Sequence, residues 1–316
     1  MPKTGKPSAK VPVMSVSAWL ERAVCQFEAA GLSYGHGTTC AFDEAAFLIL
    51  TTLGLPVDGL EMSLRKPLTA EQSDAVRAII EKRITTRKPA PYLVNEAWIG
   101  NKRFYVDERV IVPRSFIGEL LRGQLDIVLP DPHSVKRVMD LCTGSGCLAI
   151  LAALEYPGAH VDATDLSSDA LDVARRNVAE YGLEQRVRLI QSDLFENLPP
   201  KKYDLILTNP PYVNRDEVVA FPPEHRAEPE MAHAGGADGL DLVRKILAAA
   251  GHYLTENGVM IAEIGTGRDL LEWDFPNLPF LWLDTEESSG EVFVLPASAL
   301  IGQSPPRTST RKKAKK

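Results

Sequence analysis

Val138-Met-Asp-Leu-Cys-Thr-Gly-Ser-Gly-Cys147 decides the fold of this chain. A short apolar run, Val138 to Leu141, closes in a turn whose glycines, Gly144 and Gly146, let the backbone fold tightly and approach a ligand closely. C-terminal to it, strand-like runs recur at His160-Val-Asp-Ala-Thr164, Val187-Arg-Leu-Ile-Gln191, Tyr203-Asp-Leu-Ile-Leu207 and Gly258-Val-Met-Ile-Ala262. Helical patterns sit between them, notably Ser168 to Tyr181 and Leu240 to Leu254. Strand alternating with helix implies an α/β, doubly wound, mainly parallel sheet. Two last strands, Leu281-Trp-Leu283 and Val292-Phe-Val-Leu295, are joined by Ser288-Ser-Gly290 and add an antiparallel strand to it.

N-terminal to the glycine turn the pattern changes. Val16, Leu20, Val24 and Phe27 recur at helical spacing, and Gly31 ends that helix. Phe42 to Leu53 predicts a second helix, stopped by Gly54 and Pro56. Thr69 followed by Gln72 reads as a capping box opening a third, through Val76, Ile79, Ile80 and Ile84. Pro89 and Pro91 break the pattern. Ala97–Ile99 and Arg103–Val106 flank Gly100-Asn101, a two-residue hairpin signal. Val110-Ile-Val-Pro-Arg114 follows, and Phe116 to Leu129 reads as one helix leading into the sheet.

The chain has 316 residues, 45% hydrophobic and 24% charged, enough for two domains of ordinary soluble composition. No apolar run approaches the roughly 18 residues of a membrane span, and the lysine-bearing start lacks the apolar stretch of a signal peptide, so the expectation is a cytoplasmic protein. Cys25, Cys40, Cys142 and Cys147 fit no zinc spacing and are expected as free thiols, with Cys25 on the apolar face of its helix and no metal site. The formal net charge is −7, although residues 1–10 and 304–316 hold lysines and arginines and no acid. An acidic body between basic, disordered ends suits a basic protein partner better than a naked phosphate backbone.

In a sheet of this kind ligands bind beyond the carboxyl ends of the strands. Three successive ends carry acids. Asp140 can order the glycine turn or receive an ammonium group through water. Asp165 is placed to accept from two ribose hydroxyls. Asp193 can take an adenine amino group, with Leu194 flanking the ring. Each alone could be a helix cap. Together they match a cationic, diphosphate-free cofactor, S-adenosylmethionine, with NAD left open because Asp165 alone would also fit it.

The fourth strand ends in Asn209-Pro-Pro-Tyr212. An amide or ring-amino nitrogen is a poor nucleophile because its lone pair is delocalised. The Asn209 carboxamide oxygen and the Pro210 carbonyl can each accept one hydrogen of such an NH2 group. That fixes its orientation and favours a more pyramidal, electron-rich nitrogen, so catalysis rests on orientation and electrostatics. Pro210 and Pro211 stiffen the loop and offer no competing N–H. Tyr212 offers a flat face to a planar group.

With these residues the sequence resembles the protein-(glutamine-N5) methyltransferase family over nearly its whole length. The likeness takes in the helical N-terminal region, the glycine loop, Asn209 to Tyr212, and the segment from Glu228-Pro-Glu230 through Gly235-Gly-Ala-Asp-Gly-Leu240. It implies a seven-stranded Rossmann-like methyltransferase sheet. Residues 116–303 would form that domain, 11–92 a helical substrate-recognition domain and 93–115 a hairpin linker, between ends 1–10 and 304–316. Thr143, Gly144, Ser145, Gly146, Cys147, Asp165, Asp193, Leu194 and Asn209 would contact the cofactor. Asn209, Pro210, Pro211 and Tyr212 would hold the glutamine, and Arg114 would help close the site.

Family members modify either a release factor or a large-subunit ribosomal protein. Val112-Pro-Arg-Ser-Phe-Ile-Gly-Glu-Leu120 and Phe221-Pro-Pro-Glu-His-Arg226 resemble the ribosomal branch, whose substrate is large-subunit ribosomal protein three. That implies a free ribosomal protein or an assembly intermediate as partner, with RNA contact open to the basic tail. A DNA adenine N6-methyltransferase would use the same four residues. It must also flip a base and grip phosphates, which an acidic body serves poorly. A ribosome-assembly protein with a vestigial site is the remaining reading, and the intact acids and Asn209 oppose it.

Overall fold

The computed structural model describes residues 14–129, 131–198, 200–286 and 288–302. The basic ends, 1–10 and 304–316, lie outside them. The chain forms two compact units, Met1–Val94 and Asn95–Lys316.

The first unit is helical: α1 (Val16–Ala29), α2 (Ala41–Thr52), α3 (Leu60–Ser63), α4 (Ala70–Thr86) and α5 (Ala90–Val94). Helix α4 opens on the expected capping box, with Thr69 and Gln72 exchanging both bonds at 3.1 Å. Val16, Trp19, Leu20, Ala23 and Phe27 of α1 pack with Leu48 and Ile49 of α2 and Val76 and Ile80 of α4. Cys25 does not join them and is exposed. At about 100° per residue it stands opposite the Val16–Phe27 stripe, which corrects its expected place on the apolar face. Arg83 and Glu44 form a fully buried pair at 2.7 Å.

The second unit begins with a hairpin, β1 (Ala97–Ile99) and β2 (Lys102–Phe104), so that part of the expected linker groups with the sheet. Seven strands make the sheet: β3 (Arg137–Leu141), β4 (His160–Asp165), β5 (Val187–Gln191), β6 (Tyr203–Thr208), β7 (Leu254–Glu263), β8 (Leu281–Leu283) and β9 (Val292–Pro296). Their order is β5-β4-β3-β6-β7-β9-β8. The first five run parallel, and β9 pairs antiparallel with both β7 and β8.

Successive strand residues face opposite ways, and the two cores follow that period. Val138, Leu205, Leu207, Val259 and Ile261 join one, which includes α6 (Ile117–Leu120) and α7 (Cys147–Glu155). Met139, Leu141, Ile206, Met260 and Ala262 join the other, with α10 (Asp241–Ala250), α11 (Arg268–Asp274) and α12 (Ala297–Leu300). The remaining helices are α8 (Ser168–Glu180) and α9 (Arg215–Ala220). Strand order reverses between β3 and β6, the place where a doubly wound sheet opens a crevice.

One expected element is shorter than its pattern. Helix α6 ends at Leu120, and the rest of 116–129 is turns. Gly123 sits at φ +100°, a left-handed conformation that α-helix cannot propagate through. Gly118 permits the close approach of Ile99, whose methyl would lie 2.7 Å from any added Cβ.

Candidate functional site

The turn after β3 is built from beneath. Asp140 is fully buried, and its Oδ2 accepts from Thr143 Oγ1 at 2.5 Å and from the Ala149 amide at 3.0 Å. Burial pushes its carboxyl up to about 7. Of the two roles the sequence leaves to Asp140, this geometry supports ordering the turn. Gly144 and Gly146 take φ +54° and +80°, and a Cβ on Gly146 would press on Ala174 at 3.1 Å. Cys142 reaches φ +59° without being glycine, a strain that well-packed surroundings must hold. Asn177 of α8, also fully buried, donates to the Ser145 carbonyl at 2.8 Å and exchanges two bonds with the Tyr105 backbone, tying the turn to the segment after β2.

At the end of β4, Asp165 accepts from the Gly144 amide and the Ser167 amide, both at 2.9 Å. The cap of α8 is Ser167, whose hydroxyl accepts from Ala170, so Asp165 is not that cap. Desolvation raises the Asp165 carboxyl above the usual range. Asp193 is exposed beyond β5, and Leu194 beside it stands at φ +46°.

At the end of β6, the Asn209 Nδ2 donates to Glu263 Oε1 at 3.1 Å. A carboxylate oxygen only accepts, so this bond assigns the amide's orientation. Asn209 Oδ1 and the Pro210 carbonyl accept no bond among the described residues. The Tyr212 hydroxyl lies 3.5 Å from the same Glu263 oxygen, and burial raises its pKa. Two glycine segments press on this loop. A Cβ at Gly235 would lie 2.7 Å from the Pro211 carbonyl and from Tyr212 Cα, and one at Gly265 2.7 Å from the Tyr212 ring. Val213 bonds His233 and Gly235 in turn, at 2.9 Å each, which pins the chain after Tyr212 to the 233–239 segment.

Arg114 grips Glu228 with its two terminal guanidinium nitrogens, at 2.8 and 2.9 Å. Glu228 also accepts from the Val112 amide at 2.8 Å and faces His233 Nε2 at 3.1 Å.

Two cavities meet here. One, of about 260 Å³, is lined by Arg114, Thr143, Gly144, Ser145, Cys147 and Asn209 to Tyr212, with Phe221 and His233 across it. The second, of about 130 Å³, is lined by Asp165, Asp193 and Leu194. Both share Cys142, Gly144, Asn209 and Pro211. Asp140 and Gly146 line neither and support the wall. Glu228, Asn177, Glu263 and Ser115 escaped sequence reasoning as single residues. Among the described residues no cluster of three His, Cys, Asp or Glu is placed to hold a metal ion, and no helix is long and apolar enough to cross a membrane.

The pattern of the family described as Methyltransferase small domain matches residues 125–222. The chain is 50% identical over 300 residues to "Ribosomal protein uL3 glutamine methyltransferase" of Burkholderia pseudomallei (strain K96243), covering 93% of this chain and 98% of that protein. It is 54% identical over 273 residues to the protein of the same name from Bordetella pertussis (strain Tohama I), covering 86% and 92%. The same name recurs for a Neisseria meningitidis serogroup B protein at 51% over 284 residues, covering 90% and 93%.

Proposed function

Since the chain belongs to the family of the ribosomal protein uL3 glutamine methyltransferases, we propose that it transfers a methyl group from S-adenosylmethionine to the side-chain amide nitrogen, N5, of a glutamine in large-subunit ribosomal protein uL3. The observation that carries this reading is the pair of unspent acceptors, Asn209 Oδ1 and the Pro210 carbonyl, at a cavity wall of about 260 Å³. A glutamine NH2 has two hydrogens and can give one to each.

The residues present fit the cofactor. The smaller cavity offers the carboxylates of Asp165 and Asp193, and Arg109, the one cation lining it among the described residues, is held by Asp107 at 2.9 and 2.6 Å. That set repels a diphosphate and suits ribose hydroxyls and a cationic sulfonium. A Cβ on Gly144 would meet no atom within 4 Å, so this glycine leaves the cavity wall open. Asp165, Asp193, Leu194 and the 143–147 turn would hold the cofactor, which when bound supplies an electrophilic methyl group.

The protein's own part in the mechanism is placement. Asn209 and Pro210 orient the amide and draw its two N–H bonds out of the amide plane, which takes the nitrogen lone pair out of conjugation and makes it available. Tyr212 packs against the planar group. The methylated amide is left cationic and sheds one proton. Both acceptors are neutral oxygens, so water takes that proton once the amide leaves their grip, and no strong base is needed.

A net charge of −7 suits capture of a basic ribosomal protein. The test is to offer uL3, a release factor and duplex DNA in parallel with labelled S-adenosylmethionine. Label in uL3 alone is expected. Label in the release factor would move the chain to the other substrate, and label in DNA would overturn the glutamine assignment.

A further inference from the structure

We propose that Glu263 is the positioning residue that decides which end of the Asn209 carboxamide faces the substrate. The inference rests on the reading of Asn209 given above and deepens it. An asparagine amide is nearly symmetric in shape, and rotation by half a turn exchanges an acceptor for a donor. Facing a substrate NH2, the oxygen binds and the NH2 repels. Asn209 therefore needs something that distinguishes its two ends.

Glu263, at the end of β7, has that capacity because both its oxygens are committed. Oε2 accepts from Ser115 Oγ at 2.6 Å and from the Phe116 amide at 2.9 Å. Oε1 accepts from Asn209 Nδ2 at 3.1 Å. The residue is 1% exposed, so water offers no substitute. A backbone N–H can only donate, so the atom of residue 263 facing Phe116 must be an acceptor. A carboxylate meets that demand and still presents an acceptor to Asn209. Its isostere glutamine cannot do both. With its oxygen toward Phe116 and Ser115, its NH2 points at Asn209, which must then turn its own oxygen inward. The Asn209 NH2 would face the substrate.

The E263Q substitution thus changes no shape, removes a buried charge, and reverses the polarity of the acting amide. Its kcat is expected to fall on the order of a hundredfold, the scale for losing an oriented polar group in a site. Cofactor affinity, read by calorimetry, is expected to stay within about threefold. The second variant is N209D/E263Q. Its introduced aspartate can accept from the introduced glutamine's NH2 with one oxygen and keep the other for the substrate, so the total charge is conserved and an acceptor again faces the amide. It is expected to turn over at least about tenfold faster than E263Q alone.

A merely structural Glu263 predicts the opposite order, because a second substitution at the site only adds damage. Turnover of E263Q within about threefold of wild type would overturn the proposal, as would a double variant no faster than E263Q. N209A, assayed alongside, separates the two claims. If N209A keeps normal turnover, the reading of Asn209 fails. If N209A is impaired while E263Q is not, that reading stands and the role of Glu263 fails.

Discussion

Arg114 and Glu228 lie far apart in sequence and meet as a two-pronged pair at 2.8 and 2.9 Å, with the Glu228 side chain fully buried and Arg114 29% exposed. The pair fastens the Val112–Ser115 segment to the loop carrying His233, and both segments wall the larger cavity. Removing one partner of a buried pair strands the other charge.

R114A is accordingly expected to destabilise the protein by about 1–3 kcal/mol, less than for a wholly buried pair because Arg114 is partly solvated. KM for the protein substrate should rise more than cofactor Kd, because the smaller cavity lies away from Arg114. R114K should fall between, since lysine cannot engage both carboxylate oxygens as a planar fork. Thermal denaturation and steady-state kinetics on both variants check this.

N209A is expected to keep cofactor affinity within about tenfold and to lose turnover by a factor on the order of a hundred. Single-turnover transfer from labelled cofactor, beside a calorimetric titration, separates the two effects.

D165A is expected to weaken cofactor binding chiefly. Its carboxylate also holds the Gly144 and Ser167 amides, so the glycine turn should loosen as well. Faster amide hydrogen exchange at Gly144, with reduced affinity by calorimetry, is the expected pair of results. Unchanged affinity would leave Asp165 a structural residue only.

Burial pushes both Glu263 and Asp140 up to about 7. A proton on Glu263 Oε1 turns that atom from acceptor to donor toward Asn209, so turnover should fall as pH drops through about 7. Glu291 and Tyr212 also face Glu263, and Glu291 adds to the upward push. Stability runs the other way. A carboxyl whose pKa is raised by folding binds its proton more tightly in the fold, so stability should rise as pH falls from about 7 toward the unfolded values of 4.5 and 3.8. Melting temperature and turnover measured over the same pH series should move in opposite directions.

The sheet and the ends of its strands were legible because their signals are local. A glycine turn, strand periodicity and Asn209-Pro-Pro-Tyr212 each declare themselves within a few residues. Glu263 and Glu228 were not, because their meaning lies in partners many residues away: Glu263 bonds Ser115, and Glu228 bonds Arg114. Arg114 entered only through the family resemblance, and nothing local named its partner. Helix α6 is shorter than its apolar spacing suggests, because that spacing continues past Gly123 while the helical backbone does not. Gly235 and Gly239 stand out in sequence only as part of a family segment, and Gly265 not at all; their physical reason is the Pro211–Tyr212 backbone and the Tyr212 ring packed against them.

This chain methylates a glutamine amide in uL3. The most direct measurement is mass spectrometry of uL3 from cells with and without the chain, with the methyl group mapped by fragmentation. One methyl on a glutamine side-chain nitrogen is expected, absent when the chain is absent and still absent when the N209A variant replaces it. An identical methylation pattern in both cells would contradict this.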